Sequence, residues 1–140
     1  MKTALLIIAH GSRQPEANND LHQLAESLRH DPYHAVEPAF LELAEPAIEI
    51  AGARCVASGA ECVILVPYFL SAGVHVQRDL AEHRNRLAER FPHVEFRLAE
   101  PLGQHPGLAE IVAERAAQAL NCPADQSAAP GSADSSSGAS

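Results

Sequence analysis

Four short apolar runs alternate with four segments of helical period, and that alternation limits the folds open to the chain. Lys2 to Ala9, Tyr33 to Leu41, Glu61 to Pro67 and Val94 to Ala99 read as strands. The first is a near-continuous run of Leu and Ile, as a strand buried on both faces requires. Between the strands, Glu16 to His30 repeats Ala17, Leu21, Leu24, Ala25 and Leu28 at helical spacing. Glu45-Pro46 is a helix start, since proline is accepted at the first helical position. That helix continues through Ala47, Ile50, Ala51 and Cys55 and stops near Gly59. Val76 to Arg90 turns Val76, Leu80 and Leu87 inward, and Pro106 to Leu120 aligns Leu108, Ile111, Val112, Ala116 and Ala119 on one face. The order β-α-β-α-β-α-β-α predicts an α/β fold, a four-stranded parallel sheet with helices on both faces.

With 140 residues, 46% of them apolar, the chain suits one globular domain, expected over residues 1–121. From Cys122 the composition turns to Ser, Ala, Gly, Pro and Asp, and residues 122–140 are expected to be a disordered tail. Ten basic against eighteen acidic residues leave a net charge of −8. That argues against nucleic acid or an anionic membrane as partner, since both need basic patches. No stretch approaches the ~20 apolar residues of a membrane span, and "MKTALLIIAHGS" does not read as a signal peptide. The cysteines, Cys55, Cys62 and Cys122, are odd in number and form no CxxC. A disulfide framework or zinc knuckle is therefore not expected, and free thiols suit the cytoplasm.

In open α/β sheets ligands bind outside the carboxyl ends of the strands. His10 follows the first strand in "ALLIIAHGSR", Glu42 follows the second in "AFLELAEP", and His75 follows the third in "VILVPYFLSAGVHVQRDL". All three are metal-ligand types, and imidazole with carboxylate suits Co, Ni, Fe or Zn. Each histidine lies near a glycine, Gly11 or Gly73, where a ligand can approach the backbone closely. Glu42 is equally explained as a charge complementing a helix dipole, and both uses stay open. His22, His30, His34, His83, His93 and His105 are read as solvated polar residues. Ser12 and Arg13 precede the first helix and form an anion site, an N-cap, or both. Ser71, Ala72 and Gly73 open the way into the third helix similarly. Arg78 and Asp79 there read equally as a surface pair. Tyr68 and Phe69 wall a pocket or pack into the sheet, with packing preferred.

The motifs "AHGSR", "FLELAEP" and "VPYFLSAGVHVQRDL" together resemble the short, single-domain sirohydrochlorin chelatases of the CbiX type, among the class II tetrapyrrole chelatases. The resemblance covers about Lys2 to Leu120. It implies insertion of a divalent metal, Co²⁺ or Fe²⁺ with Ni²⁺ also within the family's range, into sirohydrochlorin. It implies neither ATP nor an organic cofactor. It carries over His10 and His75 as catalytic, metal-binding residues and Glu42 as a third ligand. Gly11, Ser12, Arg13, Ser71, Ala72 and Gly73 are the expected substrate-binding positions. Relatives with two fused domains enclose the substrate between halves, so a homodimer with a shared cleft is expected. Sirohydrochlorin carries many carboxylates, so an acidic chain must bind it through local donors: Arg13, Arg78 and backbone N–H groups near Ser12 and Ser71.

Two other functions fit parts of the pattern. A histidine phosphatase also places His-Gly after its first strand, but with arginine before the histidine, where Ala9 stands here. A metal carrier needs the ligands without a tetrapyrrole cleft.

Overall fold

The computed structural model describes residues 1–122, and the remainder of the expected tail lies outside the described residues. The elements are β1 (Thr3–Ala9), α1 (Pro15–Ser27), β2 (Ala35–Phe40), α2 (Ile48–Ala57), β3 (Cys62–Pro67), α3 (Val74–Arg90), β4 (Glu95–Leu98) and α4 (Pro106–Leu120). The chain divides into two units, Met1–Gly103 and the part from Gln104 onward. The first holds the sheet and three helices; the second contributes α4.

All four strands are parallel, in the order β2-β1-β3-β4. β1 is interior, which is why it can be apolar throughout. Its residues alternate between two cores. Ala4, Leu6 and Ile8 join the core that also holds Ile48, Ala51 and Cys55 of α2 and Leu80 and Leu87 of α3. Leu5 and Ile7 join Leu21 and Ala25 of α1 with Val36 and Phe40 of β2. The period-two alternation of a strand thus feeds both faces. β2 is an edge strand, which explains how it tolerates Pro38, a residue with no N–H for the ladder.

Three helix starts differ from expectation. Ser12 is not the N-cap of α1; Gln14 is, with Pro15 beginning the helix. α2 begins at Ile48, not at Pro46. The Pro46 carbonyl instead accepts the Phe40 N–H, and Ala47 bridges Phe40, so this segment is extended alongside β2. α3 begins at Val74, which puts His75 inside its first turn. Helices α2 and α3 approach closely because Gly52 has no side chain: a Cβ there would meet Leu87 Cδ2 at 2.7 Å.

Outside that contact the same helices are joined by charge. His83 Nδ1 lies 2.9 Å from Glu49 Oε2, and Arg86 Nε donates to the same oxygen at 3.0 Å. His83 is therefore a partnered residue, not a free surface imidazole. Burial would raise the Glu49 carboxyl pKa, but the hydrogen bonds from His83 and Arg86 and the attraction of His83 outweigh it and hold the group below its ordinary value. A carboxylate lowered on folding adds stability above its unfolded pKa and loses it as pH falls through the folded one. Glu49→Gln is therefore expected to lower the urea midpoint at pH 7, by the equivalent of about 0.2–1 kcal/mol for so exposed a group. The difference from wild type should close as pH falls through the lowered pKa of the folded-state carboxyl. Urea titrations across that range check it, and a pH-independent difference would contradict it.

α4 is capped by His105, whose Nδ1 accepts from the Gly107 N–H at 2.9 Å. That imidazole is structural, a role its spacing did not reveal. No residue of α4 is buried; Ile111 and Val112 are exposed.

Candidate functional site

The register of the sheet brings the strand ends together. Ala9 is level with Phe40, and Ile8 with Pro67. Backbone bonding continues past the strands. Leu41 N–H donates to the Ala9 carbonyl, Glu42 N–H to the His10 carbonyl at 3.0 Å, and Tyr68 N–H to the Ile8 carbonyl at 2.7 Å. His10 and Glu42 are thus held side by side through their main chains.

Gly11 is required at this junction. Its φ is +99°, and a Cβ on it would fall 1.8 Å from the Glu42 carbonyl oxygen. Leu43 follows with φ of 67°, a left-handed conformation that costs an L residue roughly 1–2 kcal/mol. Strain of this kind gathers at functional loops. Gly73 differs: it is the N-cap of α3 with φ −69°, and a Cβ there would meet nothing within 4 Å. No backbone constraint demands glycine at 73; its effect is to leave open space before His75.

The His10 ring meets the Phe69 ring edge-on, with centroids 5.1 Å apart. Phe69 itself is buried in the core shared with α2 and α3, so the packing role expected of it holds. Tyr68 is 42% exposed and stands outside that core. Leu43, Leu70 and Val74 are also exposed. These four apolar side chains all lie on the segments leaving β2 and β3, beside Glu42 and His75. Strand and helix periodicity could not reveal this rim, because its members belong to no periodic face. Leu43, Tyr68 and Leu70 are apolar residues in loops and Val74 opens α3; an apolar residue at such a junction is the signal that could have found them.

His10, Glu42 and His75 are exposed, and all stand at the carboxyl edge of the sheet. Among the described residues no three His, Cys, Asp or Glu already form a group able to hold a metal ion. The fold sets His10 beside Glu42 and His75 on the same edge, but not as a closed ligand set. The thiols are placed elsewhere: Cys55 is buried, and burial, with the Glu37 charge, pushes its pKa up to about 12. It is a neutral core thiol near pH 7 and no metal ligand.

The donors expected near Ser12 are partly spent. Ser12 N–H donates to Asn18 Oδ1, and Ser12 Oγ accepts from the Gln14 N–H at 3.0 Å. The Ser12 backbone therefore offers no N–H to an anion, while its hydroxyl proton stays available. Arg13 is exposed, as is Ser71. Ala72 is held through its carbonyl, which accepts from Gln77 Nε2 at 3.0 Å. Ala72 and Gln77 line a 140 Å³ cavity with Pro67, Leu80, Leu98 and Ala99. A second connection crosses behind this loop: a Cβ on Gly103 would lie 1.7 Å from the Leu70 carbonyl oxygen.

A parallel α/β sheet with exposed polar and apolar side chains gathered at its carboxyl edge defines an α/β protein whose ligand site lies at the strand ends. The comparisons make the class specific. The CbiX family model matches residues 4–119. A sirohydrochlorin cobaltochelatase of Sulfolobus acidocaldarius is 36% identical over 118 residues, 84% of this chain and 92% of that protein. A sirohydrochlorin cobaltochelatase of Priestia megaterium and a chloroplastic sirohydrochlorin ferrochelatase of Arabidopsis thaliana are each 35% identical, and this chain spans 39% and 52% of their lengths. Among solved structures, a putative cobalamin biosynthesis CbiX protein of Marinobacter aquaeolei is similar with a TM-score of 0.73 at 30% identity, covering 84% of this chain and 97% of that one. The sirohydrochlorin chelatase SirB of Bacillus subtilis subspecies spizizenii, in complex with cobalt, is similar with a TM-score of 0.77 at 32% identity, covering 84% of this chain and 51% of that one. This chain belongs to the CbiX family. The comparisons favour neither the phosphatase nor the carrier alternative.

The two glycines give a direct test of the loop geometry. Gly11→Ala is expected to destabilise the protein by more than about 1 kcal/mol, because the residue has positive φ and no room. Gly73→Ala should stay within about 0.5 kcal/mol of wild type. Urea unfolding of both variants checks this; equal stability of the two would contradict the backbone assignment.

Proposed function

We propose that this protein is a sirohydrochlorin chelatase, a lyase that inserts Co²⁺ or Fe²⁺ into the macrocycle without ATP, on the way to cobalamin or sirohaem. Ni²⁺ is a third candidate substrate, and no organic cofactor takes part. The observation that carries the proposal is the placement of His10, Glu42 and His75 on one open edge beside the apolar rim of Leu43, Tyr68, Leu70 and Val74. The names of the relatives agree with it.

The residues fit the chemistry. Insertion requires partial dehydration of the ion, a transient ligand set and removal of two pyrrole N–H protons. Three exposed donors that do not form a closed cage can bind a dication and release it. Neutral imidazole binds the metal and also accepts a proton near neutral pH. The Glu42 carboxylate steadies the ion and takes the second proton. The apolar rim suits the flat face of the macrocycle, and holding ring and ion together supplies the orientation gain. Peripheral carboxylates of the substrate are met by Arg13 and Arg78 and by the hydroxyls of Ser12 and Ser71, beside Gly11, Ala72 and Gly73.

We further propose a homodimer with the cleft between protomers. The site is open on one side, and the chain spans about half of several relatives, including the cobalt-bound SirB structure. The three cysteines are free, which suits a reducing cytoplasm. No helix among the described residues is long and apolar enough to cross a membrane.

Anaerobic visible spectra of sirohydrochlorin mixed with Co²⁺, Fe²⁺ or Ni²⁺ test the activity. Wild type should accelerate insertion over the uncatalysed rate, and a His10→Ala/His75→Ala variant should lose about 10²–10⁴-fold. Equality of wild type and blank with every metal would overturn the chelatase and leave a metal carrier in its place.

A further inference from the structure

We propose that Asn18 is a positioning residue for His10, acting through the backbone of Ser12. The inference rests on the role of His10 put forward above. Asn18 sits in the first turns of α1, six residues beyond Ser12. Its carboxamide engages both main-chain groups of Ser12: Oδ1 accepts from the Ser12 N–H at 2.9 Å, and Nδ2 donates to the Ser12 carbonyl at 2.7 Å. One planar group is paired with one residue's N–H and C=O, as a neighbouring strand would be. Both bonds are partly buried.

The segment between β1 and α1 is only residues 10–14. Its two sides are tied to different elements. At His10 the carbonyl accepts from Glu42 N–H at 3.0 Å, and Gly11 is pressed against the Glu42 carbonyl. At Ser12 both main-chain groups are tied to α1 through Asn18, while the hydroxyl accepts from the Gln14 N–H at the helix start. His10 thus hangs between the β2 loop and the first helix. Removing the second tie frees Gly11 and Ser12 to move and lets the imidazole drift.

The residue type follows from the chemistry. Asparagine is a poor interior helix residue because its amide competes for backbone groups; here that competition is what holds the loop. A carboxamide accepts from an N–H through one atom and donates to a C=O through another, in one plane and without adding charge. A carboxylate would lose the donor and face the Ser12 carbonyl with negative charge, and an ammonium would lose the acceptor and repel an incoming dication. The neighbouring Asn19 is exposed, so the two adjacent asparagines differ in use.

The test compares full-length wild type with Asn18→Asp, Asn18→Ala and His10→Ala. Each is assayed for insertion of Co²⁺ into sirohydrochlorin and for binding of Co²⁺ alone, followed by its visible ligand-field band. Far-UV circular dichroism and thermal unfolding establish that each variant is folded, and Asn18→Ala serves if Asn18→Asp does not fold. The expected result is a fall in kcat of about 10- to 100-fold, with KM for sirohydrochlorin within about threefold, as for loss of a group that orients a metal ligand. The Co²⁺ band should shift or weaken in the same variants. A role confined to stability would lower the melting temperature and leave the band of the folded protein unchanged. Wild-type kcat or a wild-type Co²⁺ band in both Asn18 variants, with His10→Ala inactive, would overturn the positioning role and leave that of His10 standing. A fully active His10→Ala would overturn both.

Discussion

The pairing of β1 on both of its sides is the constraint on which the rest depends. An interior parallel strand must satisfy its N–H and C=O groups through two neighbours and bury side chains on two faces. β1 does both, with β2 and β3 in register and with separate cores above and below. Its end is therefore fixed against two other strand ends. Main-chain bonds from Leu41, Glu42 and Tyr68 carry the pairing into the loops. The candidate site is an outgrowth of the sheet, and its donors inherit the position of a rigid scaffold.

Stability and chemistry are separated along the strand axis. Among the described residues no polar or charged side chain is buried, so the sheet is held by apolar packing. Losing a residue such as Leu6, which is fully buried, would cost about 2–5 kcal/mol. The carboxyl edge is the opposite: exposed donors, exposed apolar side chains, a left-handed leucine and a glycine with no room for a methyl. Such a rim does not stabilise the fold. It is tolerated because the layer beneath is sufficient, and it leaves ligand-binding groups uncommitted.

The proposed function requires an acidic chain to meet a carboxylate-bearing ligand at this edge. Net charge sets long-range steering, which works against an anion here. Short-range donors decide affinity. The Ser12 N–H is committed to Asn18, so under the proposed function the guanidinium of Arg13 and the hydroxyls on either side of the site would bear more of that role than a helix N-terminus does. Glu49, His83 and Arg86 form their own cluster between α2 and α3 and are committed to packing those helices.

Periodicity in the sequence was enough for the element order, the parallel sheet and the strand-end placement of His10, Glu42 and His75. These follow from burial pattern and chain direction alone, which are local or topological. It could not settle that α2 starts at Ile48, since the Pro46 carbonyl is taken by a strand six residues earlier. Nor could it assign His105 as a cap, His83 as an ion-pair partner, or Asn18 as the clamp on Ser12. Each depends on a partner brought near by folding, at a distance and angle that spacing does not encode. The apolar rim was equally hidden, because exposure of Leu43 and Tyr68 is a property of the loops' path. Residue type and periodicity determined which groups this protein carries and at which end of the sheet they emerge. Tertiary structure alone decided which of their hydrogen bonds are already spent and which are free for a ligand, because that depends on what lies within about 3 Å of each polar atom.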